Sequence, residues 1–287
     1  MANITAAMVM RLREKTQLPM MDCKKALQES GGDEEAALRK LRESGKKIMA
    51  MRQDRSTEEG RIAVYANLKP GVGAMVELQV ESAPVANSEE VVQLANDLAK
   101  QLAIGPGAKS PDDLWKQEAP SRKGVTFQEW KDDLENKIRE VFRLARIVRI
   151  DAPCGGFVHM AKIGVLVEVE GGNEELAKDI ALHIAAQNPK ATTIEDLDPD
   201  MVQRERSILT EQAKQEGKPE NIIAKMIEGR MRNFYAEHVL SEQPFVKDDK
   251  QTVGKVAAAG GMKLKRFLRW QLGETSSTPD RATAATA

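Results

Sequence analysis

Val9 and Leu12, with Met8 beside them, recur at helical spacing behind Thr5. A threonine there suits an N-cap, and the pattern predicts a helix over residues 6–15. Pro19 breaks the run and opens a second helix to about residue 29, ended by Gly31 and Gly32. Asp33 caps a third helix to about residue 43, and Gly45 closes it. Three short helices in about 45 residues form a bundle that buries too little surface to be stable alone. Residues 46–59, KKIMAMRQDRSTEE, predict a helical extension or linker. Its charged side is either a solvated face or a partner-binding surface.

The period then changes. Residues 61–65 and 74–80 predict two strands joined by the turn KPGVG at 69–73. Asn87 or Ser88 starts a helix with Val91, Leu94, Leu98 and Leu102 on one side, stopped at Gly105-Pro106-Gly107. A short helix follows over 112–117, and another from 126 or 127 to 144. Strands return at 145–151, 156–160 and 163–169, and Asn173 caps a helix to about residue 187.

These elements repeat. LANDLAKQLA at 94–103 aligns with LAKDIALHIA at 176–185, and AMVELQV aligns with GVLVEV ahead of it. The middle of the chain therefore holds two related units, each a strand hairpin followed by a helix. The copies differ between strand and helix, where ESAPVANSEE stands against EGGNEE. A longer loop on one copy is a natural place for a specialised task.

Residues 198–225 predict two helices around GKPEN, with Leu209, Ile222, Ile223 and Met226 as apolar positions and charges elsewhere, so the hairpin protrudes. KLKRFLRWQLGE predicts a final strand, and the small polar tail after Glu274 predicts disorder. The chain divides into residues 1–55, 56–145, 146–197, 198–226, 227–274 and a tail, 275–287. The fold class is α+β.

Composition narrows function. The 43 basic residues against 44 acidic ones in 287 residues weigh against a general nucleic-acid binder. Local basic sets, Lys46, Lys47, Arg52 and Arg55 or Lys263, Lys265, Arg266 and Arg269, keep an RNA-binding alternative open. The first residues do not read as a secretory signal and no apolar run of about 18 residues occurs, so no membrane partner is expected, and the cysteine usage fits a reducing, cytoplasmic setting. Two cysteines and three histidines are too few for a structural zinc site. Cys23 has Pro19 and Leu27 as its i−4 and i+4 neighbours, which reads as core packing. Cys154 and His159 could pair as nucleophile and base, but no third group orients them, and a strand sends alternate residues to opposite faces. His183 and His238 read as structural. The glycine stretches lack phosphate-loop spacing. A chain of several small units without a catalytic constellation is built to touch something large.

Four stretches carry a family resemblance: LREKTQLPMMDCKKAL at 12–27, IGVLVEVE at 163–170, HIAAQNPKA at 183–191 and GKPENIIAKMIEGRMRNFYAEHVLSEQPFV at 217–246. Over residues 1–274 the chain resembles bacterial elongation factor Ts. The resemblance implies a ubiquitin-associated-like (UBA-like) three-helix domain, a two-part α+β core and a helical dimerisation hairpin. It implies a guanine-nucleotide exchange factor that binds elongation factor Tu carrying GDP, lets GDP leave and GTP enter, and then departs. No bond is made or broken, so no enzyme, cofactor or metal is expected. Self-association, as a homodimer or a 2:2 complex with Tu, lies within what the resemblance implies; a stable nucleic-acid partner does not.

The partner-binding residues expected from it are Leu18, Met20, Met21 and Lys24, then Ser82, Ala83, Pro84 and Val85, and His159. Two stretches depart from the family. Where it usually places threonine, aspartate and phenylalanine, this chain has Ser82-Ala83-Pro84, and Pro84 should hold Ala83 extended. The usual aspartate and phenylalanine push into Tu near its magnesium site. The wedge here is smaller and uncharged, which keeps open a Tu-binding protein with weak or lost exchange. Gln17-Leu18-Pro19 replaces the usual glycine-rich turn.

Overall fold

The computed structural model describes residues 4–52, 54–215 and 220–274. The expected disordered tail, and residues 217–219 of the hairpin turn, lie outside these. The elements in order are α1 (Ala6–Thr16), α2 (Met20–Glu29), α3 (Glu34–Ala50), β1 (Glu59–Asn67), β2 (Val72–Val80), α4 (Ala83–Ala86), α5 (Glu89–Ile104), α6 (Pro111–Trp115), α7 (Phe127–Ile138), β3 (Arg143–Ile150), β4 (Cys154–His159), β5 (Ile163–Gly171), α8 (Glu174–Gln187), α9 (Pro199–Gln215), α10 (Glu220–His238), β6 (Pro244–Phe245), β7 (Asp248–Thr252), α11 (Val253–Ala259) and β8 (Met262–Gln271). The described chain is α+β. Its described residues pack as two compact units, those of 4–63, 76–147 and 272–274 in one and those of 64–75 and 148–271 in the other.

In the first unit the helix signals act as their chemistry suggests. The Thr5 hydroxyl accepts from the Met8 N–H, and the Asp33 carboxylate accepts from the N–H groups of Glu35 and Ala36. Val9, Leu12, Leu18, Cys23, Ala26, Leu27, Ala37 and Leu41 form the core of the bundle. Gly45 does not end α3, which runs on to Ala50. Its missing side chain serves close approach instead, since a Cβ there would collide with Asn136 Oδ1 of α7. The bundle thus rests on α7, with Lys46 to Asp132 (3.2 Å) and Arg42 to Asp133 (3.8 Å) at the rim. Exposed pairs of this kind add at most about 1 kcal/mol each, so the close packing of α3 on α7 does most of the holding.

β1, β2 and β3 form a sheet in that order. The buried Glu77 carboxylate on β2 accepts from Arg146 Nε (2.7 Å), Gln79 Nε2 (2.7 Å) and the Gly273 N–H (3.1 Å). A buried charge needs such partners; removing Arg146 should cost about 3–5 kcal/mol.

The second unit holds the sheet β4-β5-β8. Phe157 faces Val165 across the antiparallel β4–β5 pair, and β8 lies along the other edge of β5. α8 covers this sheet through Ala177, Ile180, Ala181 and Ile184. The repeat is visible in the topology: each hairpin is followed by a long helix, α5 or α8, and then by a later strand that pairs with the hairpin's second strand. α10 continues well past residue 226, to His238. The base of the α9–α10 hairpin is fixed by Ala191, Leu197 and Val239, with Met201, Val202, Phe234 and Tyr235 packed on them.

Candidate partner-binding site

The exposed side of α2 is set by what its other side buries. Cys23, Ala26 and Leu27 point into the bundle. Met21 and Lys24, three residues apart, fall on the opposite side together with Lys25 and Gln28. Met21 is 70% exposed and Met20 47%. An apolar side chain left in water beside two lysines offers both buried area and charge to an incoming surface. Leu18 is placed differently from the other three residues singled out here. It is 3% exposed and belongs to the bundle core, so it holds the α1–α2 corner and cannot itself reach a partner. Gln17 makes that corner with φ 59 as the cap of α1.

Residues 82–86 are not a plain loop. Ser82 is extended (φ −135°, ψ 148°) and Ala83–Ala86 make one turn of helix, α4. The expectation of an extended Ala83 is overturned. Pro84 sits at the second helical position, where no intrahelical N–H bond is required, and the helix turn outweighs the steric preference that proline imposes on its predecessor. Pro84 is exposed, Ser82, Ala83 and Val85 are half-buried, and Ala86 is buried beneath them.

The turn is pinned at both ends. Glu140 accepts from the Ser82 hydroxyl (2.6 Å) and N–H (3.1 Å). Arg61 Nη1 donates to the Ala86 carbonyl at 2.7 Å, and burial pulls its pKa below the ordinary arginine value. Glu81 accepts from the Val141 N–H and from Arg55, both at 2.9 Å. Burial opposes its charge, yet the Val141 N–H, Arg55 and Arg52 together hold its carboxyl below the usual carboxylate range. Arg61, Glu81, Arg139 and Glu140 were not singled out from sequence. Arg139 and Glu140 were hidden inside a helix expected to run to residue 144, whereas α7 stops at Ile138 and β3 begins at Arg143.

His159 lies in the second unit, exposed at the end of β4 and opposite Ile163. Met160 (φ 48) and Ala161 (φ 58), both left-handed, are the central residues of a turn closed by the Lys162 N–H on the His159 carbonyl (2.9 Å), and Met160 is 81% exposed. Cys154 stands at the other end of the same strand, about 16 Å away at about 3.3 Å per residue. Burial first, and Glu168 second, push its thiol up to about 12. The Cys154–His159 nucleophile pair is therefore not formed. Cys23 is fully buried. Among the described residues, no cluster of three or more His, Cys, Asp or Glu could hold a metal ion, and no helix is long and apolar enough to cross a membrane.

The sequence model of the family "Elongation factor TS" matches residues 81–274, a span that begins beside the pinned turn and ends beyond β8. Proteins named "Elongation factor Ts" are similar over nearly the whole chain. That of Azoarcus sp. (strain BH72) is 41% identical over 281 residues, 96% of this chain and 92% of that protein. That of Thioalkalivibrio sulfidiphilus (strain HL-EbGR7) is 39% identical over 276 residues, 95% and 93% of the two chains. That of Alkalilimnicola ehrlichii (strain ATCC BAA-1101 / DSM 17681 / MLHE-1) is 38% identical over 274 residues, 94% and 92%. Similarity that takes in the bundle, both sheets and the hairpin at this identity means that the chain belongs to the elongation factor Ts family.

Proposed function

We propose that this chain is a guanine-nucleotide exchange factor of translation elongation, acting in the cytoplasm on elongation factor Tu. It binds Tu carrying GDP, loosens GDP and yields Tu to GTP, without making or breaking a bond. The observation that carries this is family membership over about 95% of the chain, joined to an exposed α2 face and a separately pinned turn, residues 82–86, in one unit.

The mechanism is differential binding. A factor that prefers empty Tu to GDP-bound Tu by some ratio lowers GDP affinity by the same ratio. Each tenfold needs about 1.4 kcal/mol of difference between the two states. Met20, Met21 and Lys24 supply the bundle's contact, with Leu18 holding their helix in place from inside. Ser82, Ala83, Pro84 and Val85 form the wedge. His159, beside exposed Met160, supplies a contact from the second unit.

A second reading is favoured by one observation. Ala83 and Pro84 bring neither a carboxylate nor a ring to the wedge, so the chain would bind Tu and exchange weakly. The rate of GDP release from cognate Tu separates the two. The exchange reading expects the chain to accelerate release at least tenfold over Tu alone. Ala83→Asp with Pro84→Phe should speed it further, by about tenfold, if the wedge is what limits it. No acceleration by the natural chain, with binding retained, would leave only the second reading.

A further inference from the structure

The two segments assigned to Tu in the first unit, residues 20–24 and 82–85, are distant in sequence, yet three consecutive residues hold both. Arg139 leaves α7 with φ 68 and ψ 25. This is the position where a helix most often places glycine, because a Cβ is unfavourable there. Arg139 instead carries a side chain whose Nη2 donates to Asp22 of α2 at 3.1 Å, between Met21 and Cys23. Its carbonyl accepts from Arg52, in the turn that follows α3. Glu140 takes both the hydroxyl and the N–H of Ser82. The Val141 N–H goes to Glu81. The α2 face and the wedge thus both bond to one stretch of main chain a few residues long, and an arginine in a left-handed cap makes the bond on the α2 side.

We propose that residues 139–141 are a positioning clamp, and that Arg139 sets the arrangement of the α2 face relative to α4 so that Tu meets them as one preorganised surface. This rests on the exchange reading above. Two contact sites held at a fixed spacing bind as one, because engaging the first places the second at high effective concentration. Freed from Asp22, the bundle would still fold and still touch Tu, but each encounter would have to order it anew. The clamp therefore governs how much chain is needed more than how fast the saturated complex releases GDP.

Arg139→Gly is the informative change. It removes the guanidinium, keeps the carbonyl that Arg52 uses, and suits the left-handed backbone, so thermal stability should hold or rise. Spin labels at Met21→Cys and Asn87→Cys report the spacing without Tu, since Cys23 and Cys154 are both buried. The expected result is a narrow distance distribution in the natural chain and a broadened one in Arg139→Gly. In unlabelled chains, Arg139→Gly should raise the concentration for half-maximal GDP release about tenfold, with the saturating rate changed less than about threefold. Asp22→Arg combined with Arg139→Asp should restore the half-maximal concentration to within about threefold, since aspartate tolerates the left-handed cap. An unchanged distance distribution in Arg139→Gly overturns the clamp whatever Tu does. A broadened one with an unchanged half-maximal concentration overturns its role in exchange. Failure of the natural chain itself to accelerate release is a different result, and overturns the exchange reading.

Discussion

Leu18 and Met21 sit three residues apart and carry opposite expectations. Leu18→Ala empties part of a small core and should lower the stability of the bundle by about 2–5 kcal/mol, read as an early loss of helix signal on heating. Met21→Ala should leave unfolding unchanged and weaken Tu binding about tenfold in titration, as expected for an exposed apolar anchor. Sequence alone separated these two only halfway. Helical spacing from the buried Cys23 puts Met21 outside, but Leu18 lies in the corner between helices, where no periodicity applies. His183 supplies a pH prediction. Its Nδ1 accepts from the Val246 N–H at 3.2 Å, so Nε2 carries the proton and donates to Gln243 Oε1 at 2.9 Å. Burial lowers its pKa in the folded chain, and the bond to Gln243 only partly offsets this. The unfolded chain therefore takes up the proton first. The stability from neutral His183 is complete well above about pH 6.5 and is lost as pH falls through that value towards the lower folded pKa. The melting temperature should fall between pH 7 and pH 5, and fall less in His183→Gln.

At the scale of elements, most helices and strands were legible because caps and periodicity agreed, as at Thr5, Asp33 and Asn173. The misplaced boundaries have physical causes: a residue's usual signal was used for something else, or the chain turned where no usual signal stands. Gly45 looked like a helix stop and is a contact point for α7. Arg139 and Glu140 looked like helix interior, and Val141, Phe142 and Leu144 carry on the apolar spacing, yet the chain turns at an arginine with no glycine or proline to mark it. The proposed clamp was invisible for that reason. Residues 82–86 were legible as part of the longer loop of a repeat, but their helical turn was not, because Pro84 argued locally for extension while its neighbours' hydrogen bonds argue for a turn. The α3–α7 contact can be checked directly. Gly45→Ala gains helix propensity but forces Asn136 aside, for a net loss of about 1 kcal/mol in chemical denaturation. Adding Asn136→Ala should recover it, and an additive pair of losses would show that the two positions do not press on each other.

Across the whole molecule the exchange account needs no catalytic group. On the proposed reading, two sheets built on one repeated plan carry surfaces of different use, and the first unit would bring a docking helix and a wedge to a shared clamp. What this assembly must do thermodynamically is discriminate between two states of one partner. The direct test is to titrate the chain into cognate Tu twice, once saturated with GDP and once stripped of nucleotide. The account predicts binding at least tenfold tighter to stripped Tu, with GDP affinity reduced by the same factor when the chain is present. Equal binding to the two forms would contradict it.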